Sequence, residues 1–242
     1  RSFIKIICKI KVLKMDLFYI PNINTNDEIV NFPEDEKKHI IKVFRKKEGD
    51  LINVTNGKGL CLKVKILINS SNELYGKVDD INHFKSNKKA PVIAISPTKN
   101  ISRFEWFIEK ACEIGIKKIV PLITNNSERR KININRCNKI LIAAMKQSQN
   151  YFLPEISNPI KIDEFIINQD GGYIAHCKEG IKNYFLKIKI LKDNPTILIG
   201  PEGGFTSSEI KNALRNNFTP VSFGNNRLRT ETAGIFACFK CF

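Results

Sequence analysis

The chain has 242 residues, more than the ~100–200 typical of one domain, so two domains or one large domain are expected. Hydrophobic residues make up 42% and charged residues 26%, which excludes a largely disordered chain and predicts a soluble globular protein. The net charge of +16 favours a polyanionic partner such as RNA, but the abundance of Lys, Asn and Ile is also what an AT-rich genome would produce.

The cysteines and the first residues bear on the compartment of the protein and on whether it carries disulfides, a metal site or a membrane span. The cysteines are odd in number and scattered, which argues against a disulfide framework and favours the cytoplasm; they are Cys8, Cys61, Cys112, Cys137, Cys177, Cys238 and Cys241. The CxxC pair at the C-terminus has no second pair, so no metal site is predicted. The basic, apolar segment 1–14 is too short to span a membrane and is expected to lie upstream of a natural start at Met15.

Residues 15–84 are predicted to form a small, mostly β barrel domain. Short apolar runs indicate its strands, namely Leu17 to Ile20, Leu51 to Val54, Leu60 to Ile68 and Leu74 to Val78. Asn56-Gly57 favours a hairpin turn because both residue types tolerate a positive φ. A helix from Glu34 to Phe44 interrupts the strands, and the polar residues 85–89 are predicted to be a linker.

Residues 90–242 are predicted to alternate strands and helices around a parallel sheet, which makes the fold class α/β. The predicted strands are Pro91 to Ile95, Lys118 to Ile123, Tyr173 to Cys177, Thr196 to Ile199 and Val221 to Phe223. Ser102 with Glu105, and Thr206 with Glu209, have the spacing of helix capping boxes. Gly115 is a predicted helix C-cap, and further helices are expected from Ile134 to Ser148 and from Thr230.

The first loop of interest is Leu198-Ile199-Gly200-Pro201-Glu202-Gly203-Gly204-Phe205-Thr206, which follows a predicted strand. Loops at the carboxyl ends of parallel strands bind ligands, and glycines allow the backbone to approach a flat ligand closely. A phosphate site is disfavoured because the loop lacks GK[ST] and carries Glu202, whereas a cationic sulfonium cofactor tolerates a carboxylate. The alternative is a tight strand-to-helix turn without a ligand.

The second loop follows the last predicted strand and reads Phe223-Gly224-Asn225-Asn226-Arg227-Leu228-Arg229-Thr230-Glu231-Thr232-Ala233. Its charged residues cluster just before an apolar helix. Such a cluster serves a site or an interface, or else forms a salt-bridge network on the surface.

With both loops in this order and spacing, the sequence resembles the ribosomal RNA small subunit methyltransferase E family of the SPOUT superfamily. The resemblance covers essentially Asp16 to Phe242, and shorter segments fit it as well. These segments are Pro97-Thr98-Lys99, Phe104-Glu105-Trp106, Lys110-Ala111, Glu113 and Gly115.

The resemblance implies a PUA-like RNA-binding β-barrel followed by a methyltransferase domain with a deep trefoil knot. It also implies S-adenosyl-L-methionine as cofactor, 16S ribosomal RNA of the assembled or assembling small subunit as substrate, and a homodimer. The implied reaction is methylation of the N3 nitrogen of one uridine. Two alternatives remain open: a knotted methyltransferase acting on another RNA such as tRNA, and a ribosome-associated RNA-binding protein without catalysis.

Site residues follow from that implied chemistry. Loss of the N3 proton calls for a base and the resulting uracil anion for a cation, so the candidate catalytic residues are Glu202, Glu231 and Arg229. Cofactor binding is assigned to the two loops because adenine is well recognised by backbone amides between apolar walls; the residues are Ile199, Gly200, Pro201, Gly203, Phe223, Gly224, Leu228, Arg229 and Thr230. The candidate RNA-binding residues are Lys99, Arg103, Arg45 and Arg227.

Overall fold

The computed structural model describes residues 16–68, 73–180 and 182–241. The chain divides into compact units between Lys85 and Ser86. The predictions made for residues 1–14 lie outside the described residues. Among the residues described, no helix has the length and apolar character that crossing a membrane requires.

The first unit is a β-sheet with one short helical segment. Its strands are β1 (Leu17–Tyr19), β2 (Ile29–Asn31), β3 (Leu51–Thr55), β4 (Leu60–Ile68) and β5 (Leu74–His83). Helix α1 (Glu34–Lys38) continues directly into a π-helical turn, His39–Val43. The strand order is β1-β3-β4-β5-β2, with β1 parallel to β3 and the other pairs antiparallel. The predicted β unit is confirmed, and β1 and β2 are the first and last strands in the order of the sheet.

The turn between β3 and β4 forms as the sequence predicts. Gly57 has a φ of +70°, and the Asn56 side-chain oxygen accepts hydrogen bonds from the backbone N–H groups of Lys58 at 2.8 Å and Leu60 at 3.3 Å. An Asn side chain that binds the backbone in this way replaces turn hydrogen bonds. The turn brings the alternating apolar faces of β3 and β4 onto one core, which includes the fully buried Phe18 and Ile40.

The second unit contains a predominantly parallel sheet, as predicted. Its strands are β6 (Val92–Ile95), β7 (Lys118–Ile123), β8 (Glu155–Ile156), β9 (Ile160–Lys161), β10 (Gly172–Ala175), β11 (Asn183–Tyr184), β12 (Thr196–Ile199) and β13 (Phe218–Ser222). All recorded pairings in this unit are parallel, in the order β11-β13-β10-β12-β6-β7-β8, and β9 also pairs with β7.

Helices cover the two faces of this sheet. They are α2 (Ile101–Ile114), α3 (Ile134–Ser148), α4 (Ile162–Ile167), α5 (Ser207–Arg215) and α6 (Thr230–Lys240), with a 3₁₀ turn at Phe185–Lys187. Ala94 of β6 is buried in one core with residues of α4 and α5, whereas its neighbour Ile95 lies beside Gly234 of α6. Because successive strand residues point to opposite faces, α4 and α5 lie on one face of the sheet and α6 lies on the other.

Of two local predictions for helix α2, one needs correction. Helix α2 is capped by Asn100, whose side chain accepts from the Ser102 N–H at 3.0 Å. The predicted capping box of Ser102 and Glu105 is therefore wrong, because both residues already lie inside the helix. The predicted C-cap at Gly115 is confirmed by its left-handed φ of +95°.

The predicted linker 85–89 is partly attached to the second unit. The Lys88 carbonyl accepts from the Asn194 N–H at 2.8 Å, and the Lys89 ammonium donates to the Leu191 carbonyl at 2.7 Å and pairs with Asp193 at 3.1 Å. Lys88 and Lys89 thus belong to the second unit. The domain bounds 15–84 and 90–242 stay a prediction.

Candidate active site at the carboxyl edge of the sheet

Three neighbouring parallel strands of the second unit end side by side. Ala175 of β10 lies beside Ile199 of β12 and Val221 of β13. The chain leaves this edge through the segments 200–206 and 223–230, which are named here the glycine loop and the arginine loop; the second includes Thr230, the first residue of α6. Both loops that the sequence singled out therefore start from the edge at which ligands of such sheets bind.

The glycine loop is a tight turn held from outside by an asparagine. The Gly204 N–H donates to the Pro201 carbonyl at 2.8 Å, and Gly204 has a φ of +69°, which strongly favours glycine. The Asn126 amide donates to the carbonyls of Gly203 at 3.2 Å and Gly204 at 2.9 Å. The loop is thereby fixed by contacts from within the second unit.

Gly200 packs closely against a side chain of the protein itself, which the sequence did not show. A Cβ atom at Gly200 would lie 3.2 Å from the ring of Phe205, which is buried. The room for a side chain is therefore taken by the protein itself. The interpretation of this glycine as an approach for a ligand alone is incomplete, because a larger residue here would first displace Phe205.

Glu202 and Lys99 connect the glycine loop to the segment after β6. The Glu202 carboxylate is exposed and accepts a hydrogen bond from the backbone N–H of Lys99 at 3.0 Å. The Lys99 ammonium pairs with Glu128 at 2.8 Å. The backbone bond orients Glu202 through one carboxylate oxygen, and the other oxygen has no hydrogen-bond partner among the described residues.

The capping box at the start of α5 is confirmed and does more than cap. Thr206 and Glu209 exchange side-chain and backbone hydrogen bonds. Glu209 is only 3% exposed, and its other oxygen accepts from the Asn125 N–H at 2.8 Å. This buried carboxylate joins the glycine loop to the segment after β7, a contact that residue spacing cannot predict.

The arginine loop is hydrogen bonded to the glycine loop. Gly224 takes a φ of +128°, and the buried Thr230 donates from its hydroxyl to the Gly200 carbonyl at 3.1 Å. Between them, the side chains of Arg227 and Arg229 are exposed. Arg229 is the N-cap of α6 but makes no side-chain capping bond, so its guanidinium is not used to stabilise the helix end.

Glu231 lies apart from this exposed pair. It is 8% exposed and faces the guanidinium of Arg103, with 3.8 Å between Glu231 Oε1 and Arg103 Nε. A candidate catalytic residue and a candidate RNA-binding residue are thus partners of each other. Of the other candidate RNA-binding residues, Lys99 and Arg227 lie in the second unit, and the exposed Arg45 belongs to the first.

His176 is a candidate that sequence reasoning missed. It follows β10 at the carboxyl edge, where its N–H donates to the Val221 carbonyl at 3.4 Å. Its side-chain Nδ1 is buried without a hydrogen-bond partner, and burial together with the nearby Lys182 lowers the pKa of the imidazole from 6.5. A buried polar atom without a partner is costly and often belongs to a ligand site. Its position near the carboxyl end of the predicted strand Tyr173 to Cys177 was the available signal.

Within the described ranges, no group of His, Cys, Asp and Glu side chains that could hold a metal ion occurs. Cys238 and Cys241 of the C-terminal CxxC pair are buried in the second unit. Burial raises the pKa of the Cys241 thiol to about 12. These thiols are therefore protonated packing residues.

Comparison with known proteins agrees with the two units. The family model described as "RNA methyltransferase domain" matches residues 85–240, and "RNA methyltransferase PUA domain" matches residues 32–66. A ribosomal RNA small subunit methyltransferase E of Rickettsia conorii is 30% identical over 230 residues, which are 93% of this chain and 94% of that protein.

Solved structures show the same fold. A probable rRNA-methyltransferase from Porphyromonas gingivalis has a TM-score of 0.84 and 36% identity, over 93% of this chain and 96% of that one. A ribosomal RNA small subunit methyltransferase E from Neisseria gonorrhoeae, solved bound to S-adenosyl methionine, has a TM-score of 0.82 and 23% identity, over 93% and 95%.

The parallel sheet with its two bonded loops and the separate PUA-like unit define an RNA methyltransferase with a SPOUT-type α/β fold. More narrowly, the chain belongs to the ribosomal RNA small subunit methyltransferase E family. The trefoil knot, which the strand order alone does not test, stays a prediction.

Proposed function

We propose that this protein uses S-adenosyl-L-methionine to methylate the N3 nitrogen of one uridine in 16S ribosomal RNA of the small subunit. The observation that carries the proposal is the hydrogen bond from Thr230 to the Gly200 carbonyl. It holds the arginine loop against the glycine loop and leaves Arg229 exposed next to the contact. Family membership supports the choice of ribosomal RNA of the small subunit as the substrate.

The residues present fit the cofactor. In the part of the chain that the structure describes, the N–H groups of Leu228 and Arg229 have no backbone acceptor, and the buried Nδ1 of His176 has no partner. Backbone donors beside the apolar Leu228 suit an adenosine group. When bound, the cofactor supplies an electrophilic methyl group on a sulfonium. The residues proposed to hold it are Ile199, Gly200, Pro201, Gly203, Phe223, Gly224, Leu228, Arg229 and Thr230.

The reaction exchanges a proton for a methyl group on the uracil ring. The N3 proton passes to a base, N3 forms a bond to the methyl carbon, and the pair of electrons of the broken carbon–sulfur bond stays on sulfur. The negative charge that develops on the uracil oxygens needs a cation that is already in place. Arg229 fits this role because its side chain is exposed and does not cap α6.

The two carboxylates are proposed to have different roles. Glu202 is exposed and oriented by the Lys99 N–H. It can therefore contact a uracil ring that approaches from solvent and accept the N3 proton. Glu231 is buried and faces Arg103, so its carboxylate is less accessible to an incoming uracil ring than that of Glu202. We therefore assign Glu202 as proton acceptor and Glu231 as a positioning residue for the start of α6.

The proposed assembly is a homodimer that works in the cytoplasm on small ribosomal subunits. Exposed apolar side chains on the two packed helices α2 and α6 support an interface there, since Trp106 is 46% and Phe239 64% exposed. Sedimentation of the full chain tests it, and a monomer at micromolar concentration would remove the dimer from the proposal.

The experiment that tests the reaction is mass mapping of modified nucleotides in ribosomal and transfer RNA from cells with and without the gene. The proposal requires one 3-methyluridine in 16S RNA to disappear and to return when the wild-type gene is restored. Loss of a methyl group from tRNA instead, or from no RNA, would overturn it.

A further inference from the structure

A cleft of about 660 Å³ opens between the first turns of α2 and α3. Its lining combines the apolar Ile101 and Ile132 with three basic side chains, those of Arg129, Lys131 and Arg136. None of these five residues is among the site residues predicted from the sequence. The volume suits a nucleotide, because pockets for small ligands span ~300–1,000 Å³.

The cleft keeps a surplus of positive charge. Arg136 pairs with Glu105 through two hydrogen bonds, one of them 2.8 Å from Arg136 Nη2 to Glu105 Oε2. This pairing lowers the pKa of Glu105 and keeps it ionised. Among the described residues, Arg129 donates only to backbone carbonyls, and Lys131 makes no ion pair. Two positive charges are therefore not balanced by a carboxylate of the lining.

The charge comes from side chains and not from helix ends. The side chain of Asn100 accepts from the first turn of α2, and that of Asn133 accepts from the Arg136 N–H at 3.0 Å. Both helix starts are thus already capped, so an anion here would bind to Arg129 and Lys131.

The wall of the cleft is connected to the proposed active site through one residue. Arg129 Nη2 donates to the Lys99 carbonyl at 2.9 Å, and the Lys99 N–H donates to the Glu202 carboxylate at 3.0 Å. Because Lys99 contacts both, the cleft lies close to the glycine loop, where the uridine is proposed to react.

We propose that the cleft binds the ribose-phosphate of a nucleotide that flanks the target in single-stranded RNA. The phosphate contacts Lys131 and the free edge of Arg129, since a guanidinium already oriented by carbonyls is well suited to phosphate oxygens. The apolar side chains of Ile101 and Ile132 contact the sugar or base. This inference rests on the proposed function for the identity of the RNA, but the binding itself can be measured without turnover.

The test compares Lys131→Glu and Lys131→Gln with wild type in the full-length protein. The probe is a fluorescent oligouridylate, titrated at several salt concentrations. We expect Lys131→Glu to weaken binding by at least about tenfold, Lys131→Gln to weaken it less, and the slope of log affinity against log salt to fall by ~0.7 for one lost contact to a single strand. Lys131 is exposed, so both variants should stay folded.

The matched control is Lys211→Glu, an equal charge change at an exposed residue of α5, on the other face of the sheet. An equal loss of oligouridylate affinity in this control, or no loss in Lys131→Glu, would overturn the proposal that the cleft binds RNA. Displacement of the probe by uridine monophosphate at similar affinity would also overturn it, because the site would then hold a free nucleotide.

Calorimetry with S-adenosylmethionine should give unchanged affinity in both variants. If oligouridylate binding falls as expected but wild type does not methylate 16S RNA, the proposed function fails and the cleft stands.

Discussion

At the scale of single residues, Arg229 offers the sharpest test of the chemistry. Because its side chain is exposed and makes no capping bond, Arg229→Ala should leave the melting temperature nearly unchanged. Methyl transfer should slow by at least ~100-fold, a typical cost of losing a preorganised donor to a developing oxyanion. Higher pH should restore part of the rate, because hydroxide can remove the N3 proton.

The matched control for Arg229 is Arg215→Ala, which removes the same charge at an exposed position of α5, outside the proposed site. Steady-state rates on small subunits and thermal melts distinguish the two variants. Equal losses in both, or a loss in Arg229→Ala explained by unfolding, would remove the catalytic role of Arg229.

His176 gives a prediction about pH and stability. Burial lowers its pKa in the folded state from 6.5, so the folded state favours the neutral imidazole. The unfolded state then binds more protons between the two pKa values, and the free energy of unfolding falls as the pH drops below about 6.5. Urea unfolding from about pH 8 to about pH 5.5 should show this decline, and His176→Gln should reduce its slope. An identical slope in the variant would show that other groups cause the decline.

At the scale of elements, the close packing of α6 against α2 and the sheet depends on Gly234. A Cβ atom there would lie 2.6 Å from Phe107 and 2.9 Å from Ile95. In an exposed helix, Gly→Ala gains ~1 kcal/mol of stability, but overpacking a core costs ~1–3 kcal/mol. We expect the cost to dominate, so Gly234→Ala should lower the free energy of unfolding. Thr232→Ala, at an exposed position of the same helix, should change it little, and a stabilised Gly234→Ala would refute the close contact.

The bond between the loops can be tested by Thr230→Val, which keeps the shape of the side chain and removes the donor to the Gly200 carbonyl. One hydrogen bond contributes ~0.5–1.5 kcal/mol, so we expect cofactor affinity to fall by roughly two- to tenfold. Calorimetry measures it, with Thr232→Val as the control on an exposed side chain. Unchanged affinity in folded Thr230→Val would show that the contact does not shape the cofactor site.

Elements with a clear hydrophobic period were predictable, and short ones were not. Leu60–Ile68, Lys118–Ile123 and Ile134–Ser148 have the predicted bounds, because each buries one face or both. Helix α4 and the two-residue strands β8, β9 and β11 were missed, because elements this short are not long enough to show a hydrophobic period. The predicted cap at Ser102 was wrong because Asn100 caps α2 instead, and either residue type is a good cap.

The candidate site was predictable as loops but not as contacts. The strand ends and glycines located the loops correctly, because parallel strands must end at one edge. The pairing of Glu231 with Arg103, and of Asn125 with Glu209, joins residues far apart in the chain. Such pairs depend on how the helices pack, which a single sequence does not contain. The assigned roles of the site residues stay predictions.

At the scale of the whole molecule, the two units should separate in function. A fragment that begins at Ser86 keeps the bonds of Lys88 and Lys89 to the second unit. We expect it to bind S-adenosylmethionine nearly as well as the full chain but to bind RNA more weakly, with a smaller salt slope, because the phosphate contacts of the first unit are lost. Calorimetry and RNA titrations measure both. Unchanged RNA affinity and salt slope would contradict this division of labour.

Lys99 has a consequence for the order of events in a turnover. Its carbonyl accepts from Arg129 in the cleft, and its N–H donates to Glu202 in the glycine loop. Any effect of one ligand on the affinity for the other is reciprocal, because binding free energies are thermodynamically linked. Whatever factor RNA imposes on the affinity for S-adenosylmethionine, the cofactor must impose the same factor on the affinity for RNA. The order of events in a turnover then depends on which of the two binary complexes is populated, which the two separate affinities, the ligand concentrations and the rates decide.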